Sequence, residues 1–307
     1  MILLWGLAAD RPLAAVSEAL MKRGAPVAFL DQHDMLATTI EVNVDTTVYG
    51  RLQVGEDELN LGAIQSVYLR PYDARRLPEL QGISPESAAW SRVFQVEDIL
   101  VSWANFTPAR VVNRPADMAV NYSKPYQLQR IRAAGFCVPD TLITTDPAAV
   151  EAFQQRHGVI IYKSISGLRS IISRLRDEHQ SRLADVHWCP TQFQQYIPGR
   201  EYRVHVIGAD VFSCEVLTTA DDYRYFKEET ATLPEIRACS LPAEIAARCQ
   251  EMVARMGLHV AGIDLRQTPE GAWYCFEVNP SPAFTYYQAA TGQPMSTAIA
   301  RLLAGDD

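Results

Sequence analysis

The chain has 307 residues, the length of about two ordinary domains. Asp and Glu total 36 against 28 Lys and Arg, a net charge of −8 with no basic run, which argues against nucleic acid as a partner. With 48% hydrophobic and 21% charged residues, the chain is too apolar to be disordered and can bury a sizeable core.

Strand and helix patterns alternate from the first residue. The opening MILLWGLAAD lacks a basic n-region and a small-residue cleavage site, so it reads as a buried strand over Ile2 to Trp5. Pro12 to Arg23 carries apolar residues at 13, 16 and 20, predicting a helix closed by Gly24, and Val27 to Leu30 resumes extended structure. That opening is of α/β type. Val67 to Leu69 predicts another strand and Pro85 to Phe106 a long helix, before a turn-rich stretch, Thr107 to Pro115, that marks a first boundary. Ser123 is then a cap candidate for a helix with Pro125 in its first turn and Gly135 at its end. Asp146-Pro147 opens a helix that stops at Gly158. VIIYK (159–163) and SIISRL (170–175) predict two strands about a loop holding Gly167, a small antiparallel subdomain. Strands over 191–197, 201–207 and 211–218 meet at Pro198-Gly199 and Gly208-Ala209-Asp210, predicting successive antiparallel hairpins. A helix from Pro242 to Met256, closed by Gly257, precedes a last hairpin, HVAGIDLRQ and AWYCFEVN, about the turn TPEG. The longest uncharged run, Val278 to Ala300, holds three prolines, so no membrane span is predicted. Six scattered cysteines without a CxxC pair read as free thiols of a reducing, cytoplasmic compartment.

The last hairpin carries the most informative polar residues. Glu277 and Asn279 are two apart on one strand and share a face; across the turn, Asp264 lies opposite 275 or 277, on the face of Glu277 in either register. Two carboxylates and an amide oxygen so close repel unless a positive charge sits among them, and an all-oxygen set suits Mg²⁺. On spacing alone the alternative is that Asp264 pairs with Arg266 while Asn279 caps a turn before Pro280. Lysine is scarce: only Lys22, Lys124, Lys163 and Lys227. Lys124 opens a helix and Lys163 ends an apolar strand, so both are candidates for holding phosphate as point charges. The other reading is that each snorkels from an apolar element to water. No GxGxxG or GxSxG occurs, and the six histidines show no ligand spacing. His205 reads first as a satisfied imidazole, Arg70 as a surface ion pair with a cleft-facing alternative, and Tyr286 and Tyr287 as packing, with an acceptor-site role as the second option.

Along the chain, SKPYQLQRIRAAGFCVPDTLIT, YKSISG, FQQYIPGREYR, AGIDLR and FEVNPSP resemble the motifs of the ATP-grasp superfamily, from about Asn113 onward. The likeness is greatest to RimK-type ligases, which add glutamate to a ribosomal protein, and to microviridin or graspetide ligases, which macrocyclise peptides. It implies an α/β (α+β) ATP-grasp fold: a Rossmann-like N-terminal domain (1–112), a small central lid subdomain (113–190) and a C-terminal antiparallel-sheet domain (191–307). It also implies that Lys124 and Lys163 hold the nucleotide phosphates. By the same resemblance, Gln194, Gln195, Tyr196 and Ile197 surround adenine, Glu201 holds the ribose and Arg203 faces the terminal phosphate, with Arg266 as a further catalytic cation. Asp264, Glu277 and Asn279 are assigned to Mg²⁺, two ions being expected and Mn²⁺ an alternative. The single lid glycine, Gly167, and the segment PSPAFTYYQ depart from the usual pattern.

The resemblance implies a carboxylate–amine ligase working through an acyl phosphate. Its expected partners are a carboxylate-bearing peptide or amino acid and an amine, or a hydroxyl that yields an ester. A small-molecule kinase on the same scaffold and a nucleotide-binding interaction protein are the alternatives, and homo-oligomers are known among such ligases.

Overall fold

The N-terminal apolar run forms β1 (Ile2–Gly6), buried at every position. It leads into α1 (Arg11–Lys22), whose buried Leu13, Val16 and Leu20 follow the predicted spacing; Asp10 caps it, its carboxylate accepting the Leu13 N–H. After β2 (Val27–Asp31) comes an antiparallel meander that the sequence reading left unassigned: β3 (Thr38–Val44), β4 (Val48–Val54) and β5 (Asp57–Asn60). Along β3 and β4, Thr38, Ile40, Val42, Val48 and Leu52 turn inward while Thr39, Glu41, Tyr49 and Arg51 stay exposed, a period-two pattern. β6 (Ser66–Arg70), α2 (Ala88–Phe106) and β7 (Arg110–Val112) complete the unit, β7 lying within the stretch read as turns. β2, β1, β6 and β7 form a parallel sheet in that order. The structure, a computed structural model, describes residues 1–165, 172–217 and 234–306.

A short helix, α3 (Pro115–Met118), and α4 (Lys124–Ala133) bridge to the second unit. Ser123 occupies the N-cap of α4, but its side chain makes no capping bond, which corrects that expectation. β8 (Thr141–Thr144), α5 (Pro147–His157), β9 (Ile160–Ser164) and β10 (Ser173–Arg174) follow, with β9 and β10 antiparallel as predicted. Gly167 lies outside the described residues. β11 (Thr191–Gln195) pairs with β9 and β8, closing the sheet order β10-β9-β11-β8. This corrects the hairpin expected at Pro198-Gly199: those residues carry the chain from one sheet to the next. Gly199, at φ 151°, passes against the Gln267 carbonyl where any Cβ would collide.

The third unit is an antiparallel sheet of β12 (Arg200–Ile207), β13 (Asp210–Leu217), β14 (Glu235–Cys239), β15 (Val260–Gln267) and β16 (Trp273–Asn279), in the order β14-β13-β12-β15-β16. Along β12, Tyr202, Val204 and Val206 pack with α6 (Ala243–Arg255) and with Ile131 of α4. Arg203 and His205 alternate to the other face. Two helices follow, α7 (Thr285–Thr291) inside the uncharged run and α8 (Met295–Ala304), which begins in it and extends past it through Arg301. They share a core with Ile2, Leu4, Leu13 and Tyr68, so the C-terminal helices are packed onto the N-terminal sheet. Each fully buried leucine there contributes roughly 1.5–3 kcal/mol. No helix among the described residues is long and apolar enough to cross a membrane, and all six cysteines are free.

Candidate functional site

The β15–β16 pairing sets the geometry. Gly262, Ile263 and Asp264 lie opposite Asn279, Val278 and Glu277, one of the two registers the sequence allowed. The register then shifts, and Leu265 faces Cys275. Ile263 and Val278 are buried in the core beneath, which leaves Asp264, Glu277 and Asn279 directed to the opposite, open face. The bulge inserts Phe276 beside them.

Each carboxylate holds a cationic side chain. Arg203, opposite Asp264 across β12 and β15, donates from Nη1 to Asp264 Oδ1 at 2.6 Å. Lys124 Nζ donates to Glu277 Oε1 at 2.6 Å and to Asn121 Oδ1 at 2.8 Å. The Lys124 side chain is only 13% exposed, which overturns the snorkelling reading for it. Gln127, one turn along α4, fixes the distance between helix and strand: its Nε2 donates to the Val278 carbonyl at 2.8 Å and its Oε1 accepts the Val278 N–H at 3.2 Å.

Asp264 therefore pairs with Arg203 and not with Arg266, while the other half of the alternative holds: Asn279 Oδ1 accepts the Ser281 N–H at 2.9 Å. Arg266 sits towards the hinge, the segment around 194–199 that links β11 to β12, donating from Nη1 to the Ile197 carbonyl at 2.8 Å and from Nη2 to Glu201 Oε2 at 3.2 Å. Its guanidinium lies 5.2 Å from the Phe276 ring centroid and 5.9 Å from that of Tyr196. Arg174 covers the same Tyr196 ring at 4.3 Å and donates to its hydroxyl at 3.0 Å. The hinge is held by its backbone, Gln195 N–H donating to the Asp140 carbonyl and Tyr196 N–H to that of Val159, and Gln194 Nε2 donates to Thr141 Oγ1 at 3.0 Å. Lys163 lies on β9 opposite Gln192 of β11, the strand that feeds the hinge.

His205 is buried behind Arg203 with its ring 5.1 Å from Tyr287. Neither ring nitrogen has a hydrogen-bond partner among the described residues, so it is a core imidazole but not a satisfied one. Burial, reinforced by the Arg203 charge, pulls its pKa well below the usual 6.5 and keeps it neutral. Tyr287 is buried and Tyr286 half exposed. Arg70 is no surface pair: its side chain is 12% exposed and reaches the loop after β16. Asn121, Gln127, Arg174 and Phe276 were missed in the sequence. The signal available for Gln127 was helical spacing, three residues after Lys124 on α4; Asn121 precedes the helix, beyond the extended Ser123, and had none.

No group of three His, Cys, Asp or Glu side chains among the described residues forms a metal cluster. The oxygen donors on this open face are the two carboxylates and the Asn279 amide. That set of hard oxygen donors, already attracting two cationic side chains, fits Mg²⁺.

No family model matches the chain. It is 28% identical over 156 residues to the vancomycin C-type resistance protein VanC1 of Enterococcus gallinarum, spanning 46% of either protein. It is 22% identical over 264 residues to the glutathione synthetase of Thermosynechococcus vestitus, spanning 81% of this chain and 76% of that one. The chain thus spans less than half the length of the first of these relatives. Among solved structures, the macrocyclase MdnC of Microcystis aeruginosa, bound with precursor peptide MdnA, superposes with a TM-score of 0.83 at 21% identity, covering 99% of both chains. A RiPP-associated ATP-grasp ligase of Chryseobacterium gregarium, in complex with ADP and a leader and core peptide, gives 0.83 at 21% identity, covering 100% of this chain and 97% of that one. The ATP-grasp ligase PsnB, complexed with a phosphomimetic variant of its minimal precursor, Mg and ADP, gives 0.80 at 22% identity over 99% and 97%. The chain has the ATP-grasp fold.

Proposed function

We propose that this chain is an ATP-dependent carboxylate–amine ligase that activates a carboxyl group of a peptide or amino acid as an acyl phosphate, releasing ADP and phosphate. The observation that carries the reading is the double pairing of Lys124 with Glu277 and Arg203 with Asp264 on one open face of an ATP-grasp fold. A carboxylate does not condense with an amine in neutral water, because the amine takes its proton and the carboxylate is a poor electrophile. Phosphorylating that oxygen converts it into a leaving group.

The chain's residues divide this work. Lys124 and Lys163 serve as compact charges for phosphate oxygens, and buried Arg203 offsets the charge that builds on the transferred phosphoryl group. Gln194, Gln195, Tyr196 and Ile197 form the adenine hinge. Glu201 takes the ribose hydroxyls, and Arg266 orients Glu201 and the Ile197 carbonyl from the catalytic face. Asp264, Glu277 and Asn279 are the residues that would hold Mg²⁺, as one ion or two, with Mn²⁺ as a substitute. When bound, the metal neutralises phosphate charge. The substrate carboxylate attacks the γ-phosphorus; an amine then attacks the acyl carbon in a site that excludes water, and a hydroxyl in its place gives an ester. The peptides held by MdnC and the Chryseobacterium gregarium ligase support a peptide as the carboxylate donor.

The test is incubation with ATP, Mg²⁺, hydroxylamine and a panel of glutamate- and aspartate-containing peptides and free amino acids. Hydroxamate, ADP and phosphate are expected, and none with Asp264→Ala. A stable phosphorylated product without hydroxamate would make the protein a kinase.

A further inference from the structure

The loop that leaves β16 is held from the N-terminal half of the chain. Arg70, the last residue of β6, donates from Nη1 to Ser281 Oγ at 2.9 Å and to the Pro282 carbonyl at 3.3 Å. Its Nε donates to Asp10 Oδ2 at 2.7 Å, and the same oxygen accepts the Leu13 N–H at 3.0 Å. Asp10 thus anchors the guanidinium to the first turn of α1, and the ion pair is largely withdrawn from water, with side chains 12% and 28% exposed. Asn113 supplies a second handle. Its Nδ2 donates to the Pro280 carbonyl at 2.6 Å and to that of Val260 at 2.7 Å, while its Oδ1 accepts the N–H groups of His259 and Val260. Residues 280, 281 and 282 are therefore each gripped by a side chain from before α4.

We infer that Arg70 is a positioning residue for Asn279. A side-chain amide turns easily about its last torsion, and what fixes the Asn279 oxygen is the Ser281 N–H at 2.9 Å. That N–H stays in place only while Ser281 does, and Ser281 is tied through its hydroxyl to a cation that is itself tied to Asp10. With one lone pair of Oδ1 engaged by Ser281, the other is presented beside Asp264 and Glu277. Lysine cannot replace Arg70, since one ammonium cannot span the Asp10 carboxylate, the Ser281 hydroxyl and the Pro282 carbonyl as the planar fork does. The inference rests on the metal role proposed for Asn279 and extends it to the N-terminal domain: the parallel sheet sets the geometry of the metal set.

Three variants test it: Arg70→Met, Arg70→Lys and, as the milder change away from the Asp10 pair, Ser281→Ala. Amide hydrogen exchange over 281–284, measured on the protein alone, is expected to quicken about tenfold in Arg70→Met and less in Ser281→Ala. The Mg²⁺ concentration for half-maximal ATP turnover is expected to rise about tenfold, while the KM for ATP at saturating Mg²⁺ stays within about twofold. Arg70→Lys should behave like Arg70→Met. A merely structural role would lower the melting temperature and the active fraction without moving the Mg²⁺ requirement; that result, or unchanged exchange at Ser281, overturns the inference. If Mg²⁺-dependent turnover survives Asp264→Ala, the ligase site itself is wrongly placed, and the exchange measurement still decides whether Arg70 holds Ser281.

Discussion

Lys124 Nζ lies 2.6 Å from Glu277 Oε1, as close as Arg203 Nη1 lies to Asp264 Oδ1. Two carboxylates and two cations make a quartet with no net charge. A divalent ion arriving alone gains little from such a cluster and must displace a charge-assisted bond worth about 1.5–3 kcal/mol. A triphosphate changes the balance, because its oxygens give Lys124 and Arg203 somewhere else to go. Mn²⁺ alone is therefore expected to bind weakly, and Lys124→Met to bind it at least about tenfold more tightly while losing ATP turnover by about a hundredfold. Titration followed by the electron paramagnetic resonance of free Mn²⁺ reads the first effect; unchanged affinity in Lys124→Met would show that the lysine does not guard the carboxylates.

That quartet was half legible in the sequence. Asp264, Glu277 and Asn279 stood out because polar residues at a period of two inside apolar strands need a reason, and either hairpin register put them on one face. Lys124 stood out by the scarcity of lysine. Which cation meets which carboxylate was hidden, since the Arg203–Asp264 contact depends on β12 lying beside β15, a pairing 61 residues apart. For the same reason Arg266, two residues from Asp264, was its partner in the alternative reading, whereas it bonds the Ile197 carbonyl and Glu201. The strand read over 191–197 exists over 191–195 but was given the wrong neighbour: hairpin logic favours the next strand, and β11 instead pairs backward with β8 and β9. The 38–60 meander carries its period-two pattern at Ile40, Val42, Leu52 and Val54, but three of those four side chains are only half buried and Gly50 interrupts the run, so the signal is weak.

Gln127 gives a stability prediction. Its side chain is buried and satisfies both backbone groups of Val278 at the strand position between Glu277 and Asn279. Leucine there fills similar space but strands a buried N–H and a buried carbonyl, each costing about 1–3 kcal/mol. Gln127→Leu is expected to lose roughly 2–4 kcal/mol in urea unfolding, while Gln127→Glu, which keeps one acceptor, loses less. A loss under about 0.5 kcal/mol would mean that water replaces the glutamine.

Stability should depend on pH through two groups of opposite sign. Burial, with Asp98 and Asp73 nearby and Arg75 opposing, pushes the Glu97 carboxyl from 4.5 up to about 7. The native state then binds the proton more tightly than the unfolded chain, so stability falls as pH rises from about 4.5 to about 7 and is level above. Allowing for partial solvent screening, the change is about 1–2 kcal/mol. His205, held neutral by burial, acts in reverse: its contribution is complete above 6.5 and is lost as pH falls below that value. Glu97→Gln should flatten the loss between about pH 4.5 and 7, and His205→Phe the loss towards pH 5. Urea midpoints at several pH values check both, and a wild-type slope retained in either variant removes that group from the account.

Gly262 is where the site tolerates no side chain. A Cβ built there would lie 2.7 Å from the Arg203 Cζ, with Nη2 nearer still, and 2.8 Å from the Pro282 Cβ. The guanidinium occupies the space a side chain at 262 would need, reaching Asp264 two residues along, and Pro282 closes the other side. Gly262→Ala is compatible with the strand's backbone angles, but its Cβ would overpack the buried guanidinium and the Pro282 ring, so stability should fall by about 1–3 kcal/mol. The displaced guanidinium, however, should cost about a hundredfold in ATP turnover, the scale of a catalytic group moved by an ångström. Arg203→Lys added to Gly262→Ala should then cost little more, because the contact it would weaken has already gone. Losses that simply multiply in the double variant would mean that the glycine acts on something other than Arg203, and full turnover in Gly262→Ala would mean that the arginine need not lie against the strand at all.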